Sequence, residues 1–421
     1  MIYKRSELGN NIGFTTIIDN KFNTRSLAVY FLTELSDKTA AVNNLGTSIL
    51  TVSNKRYNTY AQLCEKLSEL YGAGLGSVAR KKGDAQILGL RASWLDNKYA
   101  IDNEDINGEM RQVVHDCLFE PNVCGNAFDS DSFAMVKKDL IDRIDGELNQ
   151  KRSYAISRAS KIAFRGEPAE CTGYGSREAA VSASAEDAYR AYCELLKTAQ
   201  IEIYYVSPQE DDSFAEMFSA SFKNIVRAPK TLSIRNHSPL KSEVAEASEE
   251  FDVNQCKMVM AYKTDSDDRY ALKMLSIIYG EMPFSKLFLN VREKLSLCYY
   301  CTSTSISAKG TFFVDSGVER GNIDKARGEI TAQLEEIKKG NITDEEIENS
   351  LMALDNAILQ IGDTPSSYIG WFFECFSDGK LMTPEEHFKE FRNVTKERII
   401  KAANSLKLDT VYLMLDKEGN E

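Results

Sequence analysis

Apolar positions along the chain fall into blocks of two kinds. Leu27-Ala28-Val29-Tyr30-Phe31-Leu32 is an unbroken run of strand length, and Gln86 to Trp94 reads as a second strand beyond a turn at Lys82-Gly83-Asp84. Between them Tyr60, Leu63, Leu67, Leu70 and Tyr71 recur at the spacing of one helical face. Thr59 is placed to cap that helix and Gly72 to stop it. Further helices are expected over residues 105–118 and 131–148, the second with Phe133, Val136, Leu140 and Ile144 along one side. Gly72-Ala73-Gly74-Leu75-Gly76 is read as a flexible connection, because nothing after it completes a phosphate loop or a dinucleotide fingerprint.

Two segments match across the chain. Ser184-Ala185-Glu186-Asp187 opens a helix to Leu196, followed by a strand from Ile201 to Val206. Thr395-Lys396-Glu397-Arg398 opens a helix through Leu406, followed by a strand from Thr410 to Leu415. Each helix starts with a hydroxyl cap and an acidic first turn. The repeat, about 210 residues apart, points to a duplicated domain.

Residues 207–250 hold Pro208, Pro229, Pro239 and the acidic tract Glu243 to Glu250, the composition of a boundary. Lys257 to Tyr262 then restarts the pattern. It continues through a helix Arg269–Tyr279, strands at 297–305 and Thr311–Val318, and helices over 323–338 and 343–361. The last is opened by the capping box Thr343-Asp344-Glu345-Glu346. The expected fold class is α+β: two homologous α/β-sandwich domains, each a mixed or antiparallel sheet with helices on one side. They are expected over 1–228 and 251–421, joined by a linker over 229–250.

Composition narrows the function. The formal charge of −12 is spread along the chain, which argues against nucleic acid as a partner, since phosphate is bound by clustered Lys and Arg. No apolar run reaches about 18 residues and no signal peptide is visible, so neither a membrane span nor export is expected. The nine scattered cysteines fit a reducing, cytoplasmic setting. Cys298-x-x-Cys301 has the spacing of a metal or redox motif. It falls in an expected strand, where positions three apart face opposite sides, so the metal reading is set aside. Of the three histidines, His115 is expected on a helix face, His237 in the linker, and His387 on a solvated helix face. None has a second imidazole four residues on. Gly-x-Ser-x-Gly is also absent.

The stretch Ser285-Lys286-Leu287-Phe288-Leu289-Asn290-Val291-Arg292-Glu293-Lys294, with Tyr299 seven residues after Arg292, is the most informative. Spacing alone allows an ion-paired Arg and a half-buried core Tyr. The whole pattern resembles the second-domain signature of the inverted-zincin peptidases of the pitrilysin and mitochondrial-processing-peptidase type. Ser296 stands where that signature usually has Gly, and the doublet Tyr299-Tyr300 leaves the register open. The first domain resembles the same family from Phe14 to Trp94, through Arg56-Tyr57-Asn58-Thr59 and Leu70-Tyr71-Gly72-Ala73.

The resemblance implies that Arg292 holds a substrate carbonyl and that Tyr299 hydrogen-bonds the substrate or the oxyanion. Where the family has the zinc motif His-x-x-Glu-His, this chain has Asn44-Leu45-Gly46-Thr47-Ser48. Asn44 and Ser48 replace the imidazoles and Thr47 the general base, so no metal is expected to be held by this chain. The family comparison thus implies a non-catalytic subunit, inactive alone. Its partner would be a chain of similar size that carries His-x-x-Glu-His and holds the zinc, and its substrate a peptide. The alternatives are a peptide-binding or scaffold protein with no proteolytic role, and a stand-alone enzyme of another mechanism.

Overall fold

The computed structural model describes residues 1–417, which divide into two compact units. Unit 1 comprises Met1–Gly146, Cys171–Ile234 and Ile361–Phe376; unit 2 comprises Glu147–Glu170, Arg235–Gln360 and the chain from Ser377 onward. Two segments, 147–170 and 361–376, thus cross the linear division at 229–250.

The strands of unit 1 are β1 (Ile2–Glu7), β2 (Ile12–Ile18), β3 (Thr24–Glu34), β4 (Gly74–Lys82), β5 (Ala85–Leu95), the short β6 (Val123–Cys124) and β7 (Ala127–Phe128), and β8 (Gln200–Ser207). The apolar run Leu27–Leu32 lies inside β3, and this strand is buried on both faces. Six strands form a sheet in the order β1-β2-β8-β3-β5-β4, with β2 and β8 parallel and the other neighbours antiparallel. Leu27, Val29 and Phe31 of β3 join Leu45, Leu88, Leu90 and Tyr192 in one core. Burying each such side chain stabilises the fold by about 1.5–3 kcal/mol. The opposite face, with Tyr30 and Tyr204, is covered by the helix Pro365–Ser377, whose Phe373 ring lies 5.1 Å from Tyr30 and 6.3 Å from Tyr204.

Unit 2 contains β9 (Ala245–Phe251), β10 (Cys256–Lys263), β11 (Cys298–Ile306), β12 (Thr311–Val318) and β13 (Lys407–Asp416), in the order β11-β12-β10-β13-β9. Here β13 and β9 are parallel and the other pairs antiparallel. Met258, Met260, Leu275, Ile330 and Ile399 fill the core under the helices Arg269–Ser276, Ile323–Lys338 and Lys396–Ser405. The helix Lys151–Ala163 covers the other face, where Val259, Ala261, Phe313 and Tyr412 are buried. Arg152 on that helix forms two hydrogen bonds to Asp315, at 2.6 and 3.2 Å.

Five strands of the first sheet correspond to the five of the second, β2 to β9, β8 to β13, β3 to β10, β5 to β12 and β4 to β11, with the same pairing senses, and β1 is an addition at the edge. This is the duplication expected from the matched helix–strand endings. Their caps form as read: Ser184 and Asp187 make a reciprocal capping box, and Thr395 accepts from the backbone N–H of Arg398. In each unit the main helical layer lies on one face of the sheet, and a helix from the other half of the sequence takes the second face.

Three expectations are corrected. Residues 207–250 are not a bare linker. They contain the helix Ser213–Phe222, anchored by buried Phe214, Phe218 and Phe222, and the strand β9. In β9 half-buried Ala245, Ala247, Glu249 and Phe251 alternate with exposed Glu246, Ser248 and Glu250, and Glu249 accepts from the Tyr412 hydroxyl on the covered side, so the acidic tract is a one-sided strand. The glycine-rich run after Tyr71 is no flexible connection, because Gly74 and Gly76 already belong to β4. His387 is half-buried, its ring 5.1 Å from both Tyr270 and Phe391. Among the described residues, no helix is long and apolar enough to cross a membrane.

Candidate functional site

Asn44, Thr47 and Ser48, which the sequence resemblance sets against the zinc motif, lie on the helix Ala40–Ser48. Asn44 and Ser48 are one turn apart and share a face. The Ser48 hydroxyl donates to the Asn44 side-chain oxygen at 2.9 Å, and the Asn44 amide donates to the Tyr174 carbonyl at 3.4 Å. Thr47 is fully buried and donates back to the Asn43 and Asn44 carbonyls at 3.0 and 3.2 Å. Gly46 lets the helix approach its neighbour Ala185–Thr198: a Cβ at this position would lie 2.5 Å from the Ala188 carbonyl oxygen.

Beside this helix lies a cavity of about 390 Å³, lined among others by Asn44, Ser48, Tyr60, Asp139 and Arg143. Leu75, Ser77 and Ala79 line it from β4, two residues apart and therefore on one face of the strand. β4 is the outer strand of its sheet, paired with β5 on one side. An outer strand carries backbone donors and acceptors that can pair with an extended chain.

The donor set does not fit zinc. Asn44 and Ser48 are neutral and bonded to each other, Thr47 is turned into its own backbone, and the cavity's carboxylate, Asp139, shares the lining with the Arg143 guanidinium. Among the described residues, no three His, Cys, Asp or Glu side chains converge as a metal site.

Arg292 and Tyr299 both belong to unit 2. Arg292 sits in the π-helical segment Leu287–Lys294, where the Leu295 N–H reaches the Asn290 carbonyl five residues back. Its guanidinium lies 4.6 Å from the centre of the Phe288 ring, its Nε pairs with the Glu293 carboxylate at 3.6 Å, and its side chain is 40% exposed. The chain then turns at Ser296, whose φ is +50°. This left-handed conformation accounts for the Gly usual at this place in the signature.

Tyr299 follows in β11 and is 65% exposed. The register pairs Cys298 with Val318 and Tyr300 with Gly317, so Tyr299 is the extra residue of a β-bulge. Tyr300 is half-buried on the other face, with the Arg152 guanidinium 4.6 Å from its ring. Burial, aided by the negative charge of Asp315, pushes its phenol above the ordinary value. Of the doublet, Tyr299 is the one that presents its hydroxyl to solvent.

The bulge also overturns the expectation for the cysteines. Cys298 and Cys301 oppose Val318 and Ser316, two residues apart on β12, so both point to the same face.

The match to known proteins covers these elements. The family described as "Peptidase M16 inactive domain" matches residues 182–354, a span that includes both Arg292 and Tyr299. "Probable inactive metalloprotease YmfF" of Bacillus subtilis is 28% identical over 403 residues, covering 95% of this chain and 94% of that protein. The chain is thus similar to the M16 inactive domain over residues 182–354 and to a probable inactive metalloprotease over most of its length. A conserved protein of Enterococcus faecalis has the same fold over 100% of both chains, at TM-score 0.91 and 25% identity. A protease from Helicobacter pylori matches at TM-score 0.80 and 14% identity over 98% of this chain and 99% of that one, a likeness of fold alone. Asp139, Arg143 and the cavity face of β4 are not marked by any motif in the sequence. Their signal is faint: Asp139 and Arg143 stand four residues apart on one helix, and Leu75, Ser77 and Ala79 alternate along β4 behind glycines.

Proposed function

We propose that this chain is a non-catalytic subunit of a heteromeric zinc peptidase of the M16 type. In this reading it contributes peptide-binding and transition-state-stabilising side chains, while a partner of similar size bearing His-x-x-Glu-His holds the zinc. One contrast carries the reading: the zinc-motif positions are spent on each other and on their own helix, whereas Arg292 and Tyr299 keep donors exposed. A planar guanidinium and a phenol are suited to a peptide carbonyl gaining charge. The outer edge of β4, beside its cavity, supports a peptide bound as an added strand. The acidic chain and free thiols support a cytoplasmic setting, with a peptide rather than nucleic acid or a bilayer as its ligand.

Mixing the purified chain with a zinc-motif chain tests this. Peptide hydrolysis is expected only in the mixture, and Arg292→Ala is expected to lower turnover on the order of a hundredfold without loss of assembly. No hydrolysis in any such mixture, or full activity with Arg292→Ala, would sink the proposal. The β4 edge favours a second reading, a peptide-binding scaffold. That reading predicts peptide binding by the chain alone and no metallopeptidase among its native partners.

A further inference from the structure

One irregularity decides where the thiols of Cys298-x-x-Cys301 lie. In a regular strand, side chains three apart face opposite sides. The bulge at Tyr299 adds one residue and restores the parity, so both thiols enter the same buried layer, 8% and 4% exposed. There the two side chains are neighbours on one face, placed for a hydrogen bond from Cys301 to Cys298.

The surroundings make the two unequal. The hydrogen bond from Cys301 holds the Cys298 thiol below the ordinary value against the opposing effect of burial, and Ser316 and the Arg292 guanidinium add to this. Cys301 is pushed up by the same hydrogen bond, by burial and by the negative charges of Cys298 and Asp315. Elsewhere burial simply makes a thiol inert: it pushes Cys117 up to about 12. A stabilised thiolate in contact with a second thiol is the arrangement that thiol–disulfide exchange requires.

We propose that Cys298 and Cys301 form a reactive dithiol that low-molecular-weight disulfides oxidise to an internal disulfide, and that its state sets the conformation of the bulge carrying Tyr299. In the first step the Cys298 thiolate attacks one sulfur of the small disulfide. Their S–S bond forms, the original S–S bond breaks, and one small thiolate leaves to be protonated by solvent. Cys301 then gives its proton to solvent and attacks the Cys298 sulfur, forming the internal bond and expelling the second small thiolate. The protein loses two electrons and two protons, and the small disulfide becomes two thiols. Closure brings the two Cβ atoms to about 3.8 Å, which tightens the bulge between them. The proposal does not depend on the peptidase-subunit reading.

The full chain, exposed to a graded ratio of oxidised to reduced glutathione, then acid-quenched, alkylated and digested with trypsin, tests it. The tryptic peptide spanning Leu295 to Lys309 is expected to lose two hydrogens and take up no alkyl group, while Cys117 stays a thiol. Cys301→Ser is expected to stop at a glutathione adduct on Cys298, and Cys298→Ser to leave Cys301 reduced. In the reduced protein Cys298 should alkylate at a pH below the range of an ordinary thiol. Amide hydrogen exchange across 295–301 should slow on oxidation. Both cysteines remaining alkylable at every ratio, or a wild-type adduct that never resolves, would overturn the dithiol. Unchanged exchange in the oxidised chain would overturn its coupling to Tyr299.

Discussion

Ser48 donates its hydroxyl hydrogen to the side-chain oxygen of Asn44 at 2.9 Å, one turn back along the helix Ala40–Ser48. The sequence resemblance sets these positions against two zinc-binding imidazoles. The neutral pair closes on itself instead, and Thr47 on the adjoining face is sealed against its own backbone. This turn is packed as structure, and that packing can be measured.

Thr47 occupies a space with no room for a solvated carboxylate. Thr47→Glu is expected to lower the unfolding free energy by about 3 kcal/mol, because the acid is buried without a partner. Thr47→Val removes a hydroxyl bonded to its own helix and should change stability by less than about 1 kcal/mol. Chemical denaturation of both variants distinguishes a repacked turn from a merely emptied one.

Gly46→Ala would place a methyl carbon 2.5 Å from the Ala188 carbonyl oxygen, a backbone atom with little freedom to yield. The gain in helix propensity is outweighed by the forced separation of two packed helices. A net loss of about 1–3 kcal/mol is expected from thermal or denaturant melts.

Ser296 adopts φ +50°, a region disfavoured for any residue with a Cβ. Ser296→Gly should therefore stabilise the chain by about 0.5–1 kcal/mol, and Ser296→Val should destabilise it by more. Differential scanning calorimetry of the pair checks both signs.

His387, between the Tyr270 and Phe391 rings, has its pKa lowered from 6.5 to about 4 by burial and by the nearby Arg269 charge. The unfolded chain binds a proton at this residue that the folded chain refuses. Stability from this source is thus complete above about pH 6.5 and falls as pH drops toward about 4, by on the order of 2 kcal/mol. His387→Phe, which keeps the ring contacts, should flatten the pH dependence of unfolding across that window.

Local signals were readable from sequence wherever one residue type settles a local question. Thr59 caps its helix, and the Thr343–Glu346 box forms with bonds of 2.8 and 3.1 Å. The apolar run at Leu27–Leu32 became a strand with both faces buried. What failed was anything set by pairing. The parity of Cys298 and Cys301 depends on a bulge, which exists only relative to β12. The strand β9 lacks an apolar run and is held in place by parallel pairing to β13. His387 looked solvated because its polar neighbours in sequence, Glu385 and Glu386, are exposed, while the rings that enclose it come from Tyr270 and Phe391.

The exchange of segments between the two halves of the sequence imposes an order on synthesis. All strands of unit 1 leave the ribosome by Ser207, yet the helix that covers Tyr30 and Tyr204 is not made until Pro365–Ser377. For the interval of more than 150 residues between them, a sheet face bearing buried-type aromatics stands open, at roughly 5–20 residues per second. The nascent chain is therefore a natural client for chaperones that shield apolar surface, and a product truncated before Pro365 would keep that face bare.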